Sequence, residues 1–265
     1  MSNSMVLIDL DDRGVATVTF NRPEVNNAYN GDMIQALLSG MTKLASDKQV
    51  RLIVIKGNGR HFQAGADLNW ISKVSNFSYK ENLTVSEETA NAIMCIDNCP
   101  KPTLALVHGG CFGGGTGIIA SCDIVIASSD ALFSISEVRW GLHAGPILPQ
   151  LIVAMGAQNL RRFALTGERF NALEAQKLGL INEVCGEGEL EKTAQPIVDA
   201  ILQNAPNSIS DTKRIIMKII GSSFDKKFYM SLVRDHASKR LTDEASEGLA
   251  SFREKRDANW YSRKG

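Results

Sequence analysis

Three short, continuous apolar runs constrain the fold of this chain most strongly. They are RLIVIKG (51–57), TLALVHG (103–109) and DIVIAS (123–128). An uninterrupted apolar run of this length is typical of a strand buried on both faces, as in a parallel sheet covered by helices. Strands are also predicted at 5–9 and 14–20, and residues 30–47 have helical spacing with Asn30 as a candidate N-cap. Strands and helices therefore alternate, which predicts an α/β core.

The C-terminal part of the chain has a different pattern. After GLINEVC (179–185) only helical segments are predicted, at 188–204, 207–220, 225–238 and 243–256, the last with Thr242 at its N-terminus. We expect a boundary near residue 200, with an α/β core carrying the ligand site in 1–200 and a helical region in 201–265. The helical region has 13 Lys/Arg against 8 Asp/Glu, or +5, in a chain of net charge zero. Such a surplus is typical of a solvated helical face, and its alternative is a phosphate-bearing ligand.

Composition narrows the function classes. No run approaches the roughly 18 apolar residues of a membrane helix. The start, MSNSMVLIDLDD, has no basic region before an apolar segment, so we expect a cytoplasmic protein that does not contact membranes. No basic stripe with interleaved aromatic residues indicates nucleic-acid binding. An odd number of cysteines without metal-type spacing predicts free thiols and no metal site; they are Cys95, Cys99, Cys111, Cys122 and Cys185.

Glycine is concentrated in GCFGGGTGIIASCD (110–123), with five glycines in its first eight positions. The block follows the strand TLALVHG and opens a helical run, so free N–H groups and close backbone approach favour binding of a negatively charged group. Close packing of helix on strand is the alternative interpretation. GTGIIA (115–120) also fits a dinucleotide fingerprint, with Glu137 as its acid, which leaves an NAD-dependent oxidoreductase as an alternative. However, Glu137 lies beyond the end of the following strand, where a ribose-binding acid is not expected.

A second small-residue turn, AGAD (64–67), lies in GRHFQAGADLNWI (59–71) and also follows a buried strand. Two such turns at the carboxyl ends of parallel strands can bring two backbone N–H groups together. Two convergent donors form an oxyanion hole, which suits a thioester oxygen that gains charge during a reaction. A nucleotide site needs only one turn of this kind.

Six segments in order resemble the enoyl-CoA hydratase/isomerase (crotonase) family over about residues 5–260. They are NRPEVNNAYN, HFQAGADLNWI, CFGGGTGIIASCDIVIAS, FSISEVRWGL, LTGERFNALEAQKLGLINEV and EGLASFREKRDANW. The resemblance implies a crotonase-like spiral of ββα units with a C-terminal helical region. It implies a homotrimer or homohexamer, an acyl-CoA substrate, and no cofactor beyond the coenzyme A of that substrate.

The resemblance also implies roles for individual residues. The backbone N–H groups of Ala66 and Gly114 match the oxyanion donors, and Glu137 matches a glutamate that handles the α-carbon proton. Gly145 matches a position lining the water or proton site. Phe252 and Lys255 match residues that contact the adenine and 3′-phosphate of CoA, often across a subunit interface. Further positions expected to contact substrate are Ala64, Asp67, Leu68, Gly113, Gly117 and Arg139, although Asp67 is favoured as a helix N-cap.

One position departs from the family pattern. Typical hydratases have a second glutamate three residues after the oxyanion glycine, where this chain has Gly117. We expect a hydratase, because the segments around Gly117 and Glu137 are similar to those of hydratases for branched glutaconyl-type CoA esters. Arg139 is then a candidate contact for the distal carboxylate, or else a structural ion-pair residue. A Δ3-Δ2-enoyl-CoA isomerase and a non-catalytic acyl-CoA-binding protein remain alternatives.

Three neighbouring features have two interpretations each. Trp70 and Ile71 either line the acyl pocket or pack in the core. His143 is either a second proton carrier or a structural histidine. Residues 73–88 are polar and weakly patterned, which predicts a mobile segment over the pocket.

Overall fold

The computed structural model describes residues 4–220 and 225–261, and every count below refers to these residues. Nine strands are present: β1 (Val6–Leu10), β2 (Val15–Phe20), β3 (Leu52–Gly57), β4 (Thr103–Val107), β5 (Gly110–Phe112), β6 (Ile124–Ser128), β7 (Leu132–Ser134), β8 (Phe170–Asn171) and β9 (Glu183–Cys185). The main sheet has the order β1-β2-β3-β4-β6-β9. Only β1 is antiparallel to its neighbour. The parallel sheet predicted from the apolar runs is confirmed.

A second, smaller layer lies beyond the carboxyl ends of the main strands. It contains β5, β7 and β8, with β5 parallel to β7. Two isolated parallel bridges, Tyr29 with Ala66 and Gln63 with Cys111, continue this layer toward the earlier part of the chain. The chain therefore passes repeatedly from a main-sheet strand into the second layer and back through helices. This confirms the predicted α/β fold with repeated ββα units.

Helices cover the sheet and form the end of the chain. They are α1 (Gly31–Ser46), α2 (Leu68–Val74), α3 (Tyr79–Asp97), α4 (Gly114–Ala120), α5 (Leu148–Met155), α6 (Ala157–Thr166), α7 (Ala172–Lys177), α8 (Leu190–Gln203), α9 (Pro206–Ile219), α10 (Lys226–Lys239) and α11 (Asp243–Glu254). The predicted caps are present, since the Asn30 side chain accepts a hydrogen bond from the Met33 N–H at 3.0 Å. Thr242 accepts one from the Ala245 N–H at 3.2 Å.

Both faces of the main sheet are buried, as the continuous apolar runs require. Ile53 and Ile55 of β3 point into the main core, while Leu52 and Val54 point into a second cluster. Helix α8 covers that second cluster with its buried side chains, which are Leu190, Ala194, Val198 and Leu202. The predicted boundary near residue 200 therefore falls within a helix that packs on the sheet. The division into two regions stays a prediction.

Residues 73–88, which are predicted to form a mobile segment over the pocket, are largely helical, and their mobility stays a prediction. Most of this segment lies in α2 and α3, and α3 begins with a capping box in which Ser78 and Glu81 exchange hydrogen bonds. Only Ala92, Ile93 and Ile96 of α3 are fully buried. The polar first turns gave weak hydrophobic periodicity, although the S-x-x-E pattern of residues 78–81 marks a helix start.

No helix in the described ranges is long and apolar enough to cross a membrane. All five cysteines are free thiols. Helices α9 and α10 have no fully buried residue, and each exposes large apolar side chains, among them Ile216 and Val233.

Candidate active site

The two turns predicted to converge are hydrogen-bonded to each other. The Gln63 N–H donates to the carbonyl of Gly110 at 3.1 Å, and the Phe112 N–H donates to the carbonyl of Gln63 at 2.9 Å. The Gln63 side chain closes its own turn, because its Oε1 accepts from the Gly65 N–H at 2.9 Å. A Cβ atom at Gly115 would lie 2.6 Å from that same Oε1. Glycine at 115 therefore lets the two turns approach closely.

Two backbone amides of these turns are unpaired. No hydrogen bond within the described part of the chain uses the N–H of Ala66 or that of Gly114. The N–H of Gly113 is different, because it donates to the carbonyl of Ser134 at 2.9 Å. Gly113 therefore does not supply a free donor, and its predicted contact with substrate stays a prediction. Its φ of 50° and ψ of −120° make the bend that precedes α4.

Tyr29 contacts both turns that carry the free amides, and the sequence analysis did not identify it. Its N–H donates to the carbonyl of Gly65, and its carbonyl accepts from the N–H of Asp67, both at 2.9 Å. Its ring reaches the other turn, where a Cβ atom at Gly114 would lie 2.6 Å from Tyr29 Cε1. Trp70 packs edge-on against the same ring with centroids 5.8 Å apart. The only signal for Tyr29 was its place within NRPEVNNAYN, because the bridge to Ala66 is a long-range contact.

Glu137 lies beside the glycine bend. It opens a short 3-10 helix, Glu137–Trp140, that follows β7. A Cβ atom at Gly113 would lie 3.0 Å from Glu137 Oε1 and 3.7 Å from the Cα of Gly65. Glu137 Oε2 is buried and has no hydrogen-bond partner among the described residues. Burial raises the pKa of the Glu137 carboxyl, and a hydrogen bond from its own N–H opposes that shift only in part. An unpaired buried carboxylate is suited to proton transfer.

Asp67 is a structural carboxylate. It caps α2, accepting from the N–H of Asn69 at 3.0 Å, and its other oxygen pairs with Arg22 at 3.1 Å. Burial opposes ionisation, but hydrogen bonds from Arg22 and from two backbone N–H groups outweigh it and lower the pKa of Asp67. The prediction of an N-cap is confirmed. All of these contacts hold the turn in place, and the predicted contact of Asp67 with substrate stays a prediction.

Ile147 fills the space next to Gly117. A Cβ atom at Gly117 would lie 2.2 Å from Ile147 Cγ2 and 2.6 Å from Ile147 Cβ. Both residues are buried, and Gly117 lies inside α4 rather than in the turn before it. The fingerprint GTGIIA is therefore a packed helix, and glycine at 117 accommodates an apolar neighbour. A carboxylate at this position requires Ile147 to be elsewhere.

Gly145, His143 and Arg139 lie on the exposed segment after Glu137. The His143 Nδ1 accepts from the Gly145 N–H at 3.1 Å, which places the ring proton of neutral His143 on Nε2. Arg139 lies along Gly167, where a Cβ atom would be 3.1 Å from Arg139 Nε. No carboxylate of the described residues pairs with Arg139, so the interpretation as a structural ion-pair residue has no support.

The remaining predicted residues of the 64–71 turn and helix differ in exposure. Ala64 donates its N–H to the carbonyl of Asn26 at 3.1 Å, and Leu68 is 61% exposed at the start of α2. Trp70 is partly buried against the main core, whereas Ile71 is partly buried outside it. Leu68 and Trp70 therefore present apolar surface next to the free amide of Ala66.

Phe252 and Lys255 are not brought to this site within one chain. Phe252 is 83% exposed on α11, and Lys255 ends that helix with a φ of 54°. Helix α11 packs beside Trp260, whose carbonyl accepts from Arg51 at 2.6 Å. Arg51 precedes β3, whereas the 64–67 turn follows the other end of that strand. Helix α11, which carries Phe252, thus lies toward the amino-terminal end of β3, away from the end that the 64–67 turn follows.

No group of three or more His, Cys, Asp or Glu side chains in residues 4–220 and 225–261 is arranged to hold a metal ion. The candidate site presents two amides and one carboxylate oxygen that are unpaired in the described part of the chain. Comparison with known proteins identifies the family of the chain. The family model for enoyl-CoA hydratase/isomerase matches residues 11–263.

The chain belongs to the enoyl-CoA hydratase/isomerase family. A mevalonyl-coenzyme A hydratase of Aspergillus fumigatus is 32% identical over 93% of this chain and 91% of its own. A peroxisomal Delta(3,5)-Delta(2,4)-dienoyl-CoA isomerase of Arabidopsis thaliana is 34% identical over 78% of each chain. The crystal structure of an enoyl-CoA hydratase from Shewanella pealeana superposes with a TM-score of 0.94 at 34% identity, covering 98% of this chain and 97% of the other. The protein is an enzyme of the enoyl-CoA hydratase/isomerase family.

Proposed function

We propose that this protein hydrates an enoyl-CoA thioester, using the amides of Ala66 and Gly114 and the carboxylate of Glu137. The observation that carries the proposal is the buried, unpaired Oε2 of Glu137, which lies beside the turn that holds a free amide. The two N–H groups hold the thioester oxygen. Preorganised donors of this kind contribute about 10²–10³-fold each, because they act most strongly on the charge that develops in the transition state.

One carboxylate is enough for the addition of water. Glu137 takes a proton from water as the water oxygen bonds to the β-carbon. The electron pair of the carbon–carbon double bond moves toward the thioester, and the resulting enolate oxygen is held by the two amides. Glu137 then returns its proton to the α-carbon. Water is added overall, and Glu137 ends as the carboxylate it was at the start.

An isomerase is the second candidate, and the packing at Gly117 favours it. Helix α4 has no acidic side chain, and Ile147 occupies the space that a carboxylate at Gly117 would need. Glu137 alone can take the α-proton of a 3-enoyl-CoA and return it to the γ-carbon, which shifts the double bond. One relative named above is a dienoyl-CoA isomerase. The raised pKa of Glu137 supports either enzyme over a non-catalytic acyl-CoA-binding protein.

The substrate we propose within this class is a branched glutaconyl-type CoA ester. Arg139 is exposed on the segment that begins with Glu137 and has no carboxylate partner in the described part of the chain. A guanidinium binds a carboxylate through two parallel hydrogen bonds. Replacement of Arg139 by Met should therefore raise KM for a glutaconyl-type ester at least about tenfold and leave KM for crotonyl-CoA unchanged. Equal effects on the two esters would exclude this substrate preference.

We also propose that the active form is a homotrimer or homohexamer in the cytoplasm. The exposed apolar side chains of α9–α11, among them Ile216, Val233 and Leu249, support burial against other copies. Phe252 and Lys255 would then contact the CoA adenine and 3′-phosphate at a neighbouring subunit's site. Light scattering should give three or six times 28.9 kDa. A monomer with full activity would contradict this part of the proposal.

Hydratase and isomerase are separated by following the absorbance of the conjugated thioester. A hydratase removes the absorbance of a 2-enoyl-CoA, and an isomerase produces it from a 3-enoyl-CoA. We expect loss with the 2-enoyl substrate. Appearance from the 3-enoyl substrate without any hydration would establish the second candidate instead. Neither change, across straight and branched substrates, would contradict an enzymatic role for the site.

A further inference from the structure

Tyr29 has a position in this site that the proposed roles of Ala66, Gly114 and Glu137 do not use. Its backbone is paired on both sides of Ala66, through Gly65 and Asp67. Neighbouring side chains of a parallel pair lie on the same side of the layer, so the Tyr29 side chain lies next to Ala66. Its ring then extends to Gly114, and a Cβ atom there would lie 3.4 Å from the Tyr29 Oη. One side chain thus spans the distance between the two free amides.

The Tyr29 hydroxyl is polar and has no hydrogen-bond partner within the described part of the chain. Tyr29 is partly buried, and its hydroxyl lies beside Gly114, whose amide is also unpaired in the described part of the chain. An oxygen atom held by that amide is therefore within reach of the phenol. Burial, and then the negative charge of Glu137, raise the pKa of Tyr29 to about 12. The hydroxyl therefore stays protonated at neutral pH and acts as a donor. Tyr29 lies against Gly114 and Glu137 lies against the adjacent Gly113, so the phenol and the carboxylate are at the same bend of the backbone.

We propose that the Tyr29 hydroxyl is a third hydrogen-bond donor to the thioester oxygen, beside the N–H groups of Ala66 and Gly114. The oxygen is the favoured acceptor because Tyr29 makes no hydrogen bond to Glu137 and lies against the glycine that carries one of the two amides. A donor to this oxygen is strengthened as the carbonyl becomes an enolate. It also limits the position of the acyl group, because the aromatic ring fixes where the hydroxyl lies. This inference rests on the proposed function.

The test compares the wild-type enzyme with Tyr29→Phe, which keeps the ring and removes only the hydroxyl. We expect kcat for a 2-enoyl-CoA to fall about 10²-fold, with KM changed less than about threefold, because the bond matters mainly in the transition state. The melting temperature should not change, since the hydroxyl has no partner in the fold. Tyr229→Phe is the matched control, because Tyr229 is 63% exposed on α10, and it should keep wild-type kcat and KM.

A second measurement reports how strongly the site stabilises negative charge on the thioester oxygen. Acetoacetyl-CoA has an acidic α-carbon, and its enolate is visible in the near ultraviolet when it is bound. Wild-type enzyme should stabilise the bound enolate, and Tyr29→Phe should lower the bound enolate fraction at equal saturation. If the wild-type enzyme neither turns over enoyl-CoA esters nor stabilises this enolate, the proposed function itself is wrong. If the wild-type enzyme does both and Tyr29→Phe equals it in kcat and in enolate fraction, only the role of Tyr29 is wrong. A rise in KM with kcat unchanged would also overturn that role, because it indicates uniform binding.

Discussion

Asp67 and Glu137 are two carboxylates at the turns of one site, and their surroundings differ in the contacts that set a carboxyl pKa. Asp67 is paired with Arg22 and accepts backbone N–H bonds, so its pKa is lowered. Glu137 has a buried oxygen with no partner among the described residues, and burial raises the pKa of its carboxyl. A carboxylate whose two oxygens both accept hydrogen bonds from its own turn and from Arg22 holds the backbone in place. A buried carboxylate oxygen without such bonds is suited to exchange a proton, and this contrast supports the structural role of Asp67 and the proposed catalytic role of Glu137.

The sharpest test of this contrast is Glu137→Gln. We expect kcat to fall by about 10³-fold or more while the Kd for acyl-CoA changes less than about threefold, because general acid–base catalysis is lost and shape is kept. Steady-state kinetics and calorimetric binding measure the two effects. The same loss in Asp67→Asn would erase the distinction between the two carboxylates.

The pH profile gives a second view of Glu137. Its carboxylate form must accept the first proton, and burial raises its pKa. The rate should therefore fall on acidification at a pH above roughly 4.3, the ordinary value for glutamate. A log plot of kcat/KM against pH measures this value in the free enzyme. Activity that stays constant down to the ordinary glutamate range would contradict the raised pKa.

Gly113→Ala should displace the Glu137 carboxylate and leave the contacts of Asp67 unchanged. The new Cβ would lie 3.0 Å from Glu137 Oε1, and the positive φ of residue 113 strains any side chain. We expect kcat to fall about 10²-fold and stability to fall by about 1–3 kcal/mol. Gly156→Ala is the control, because φ at Gly156 is also positive but no atom of the described residues lies within 4 Å of the added Cβ. It should lose similar stability and keep kcat, and a loss of kcat in the control would show that strain alone explains the effect.

Gly117→Ala probes the position where a second carboxylate is missing. The Cβ would meet Ile147 at 2.2 Å, so overpacking should cost about 1–3 kcal/mol in urea unfolding. In the Ile147→Gly variant, Gly117→Ala should lower the free energy of unfolding by close to nothing. The two substitutions together should therefore cost less than the sum of their separate costs. Gly31→Ala is the control, because its added Cβ would lie no closer than 3.6 Å to a neighbouring atom and so causes no overpacking. For the same reason Gly117→Glu should not add a working second carboxylate to the site unless Ile147 is also replaced by a smaller residue. Additive costs at 117 and 147 would refute the packing account.

A small effect on kcat is expected for Asp67→Asn, whose cost is in stability. Loss of the Arg22 pair at a side chain that is 14% exposed should lower stability by about 1–3 kcal/mol at neutral pH, with kcat within about threefold of wild type. Because the pKa of Asp67 is lower folded than unfolded, its contribution is full above the unfolded value, roughly 3.9, and disappears as pH falls through the folded value. Urea unfolding at decreasing pH should show the wild-type advantage shrinking. A constant advantage at every pH would contradict the role of the charge.

Most of the fold could be predicted from local patterns. The continuous apolar runs predicted the parallel strands, and Asn30, Asp67 and Thr242 predicted helix starts, because these signals lie within a few residues of what they specify. Helix α3 was missed because its first turns are polar. The free amides of Ala66 and Gly114 fit the predicted turns. The convergence of these two turns could be predicted because both follow strands of one parallel sheet. Other long-range contacts have no local sequence signal, and these include the bridge that brings Tyr29 to Ala66 and the packing of Ile147 on Gly117.

The most direct measurement of the central claim is exchange of the α-carbon proton in D₂O, followed by mass spectrometry of an acyl-CoA ligand. This reports proton transfer by the enzyme whether the full reaction is hydration or isomerisation. Wild-type enzyme and Asp67→Asn should both incorporate deuterium at the α-carbon, and Glu137→Gln should incorporate none above the enzyme-free rate. Incorporation by Glu137→Gln at the wild-type rate would contradict the assignment of proton transfer to Glu137.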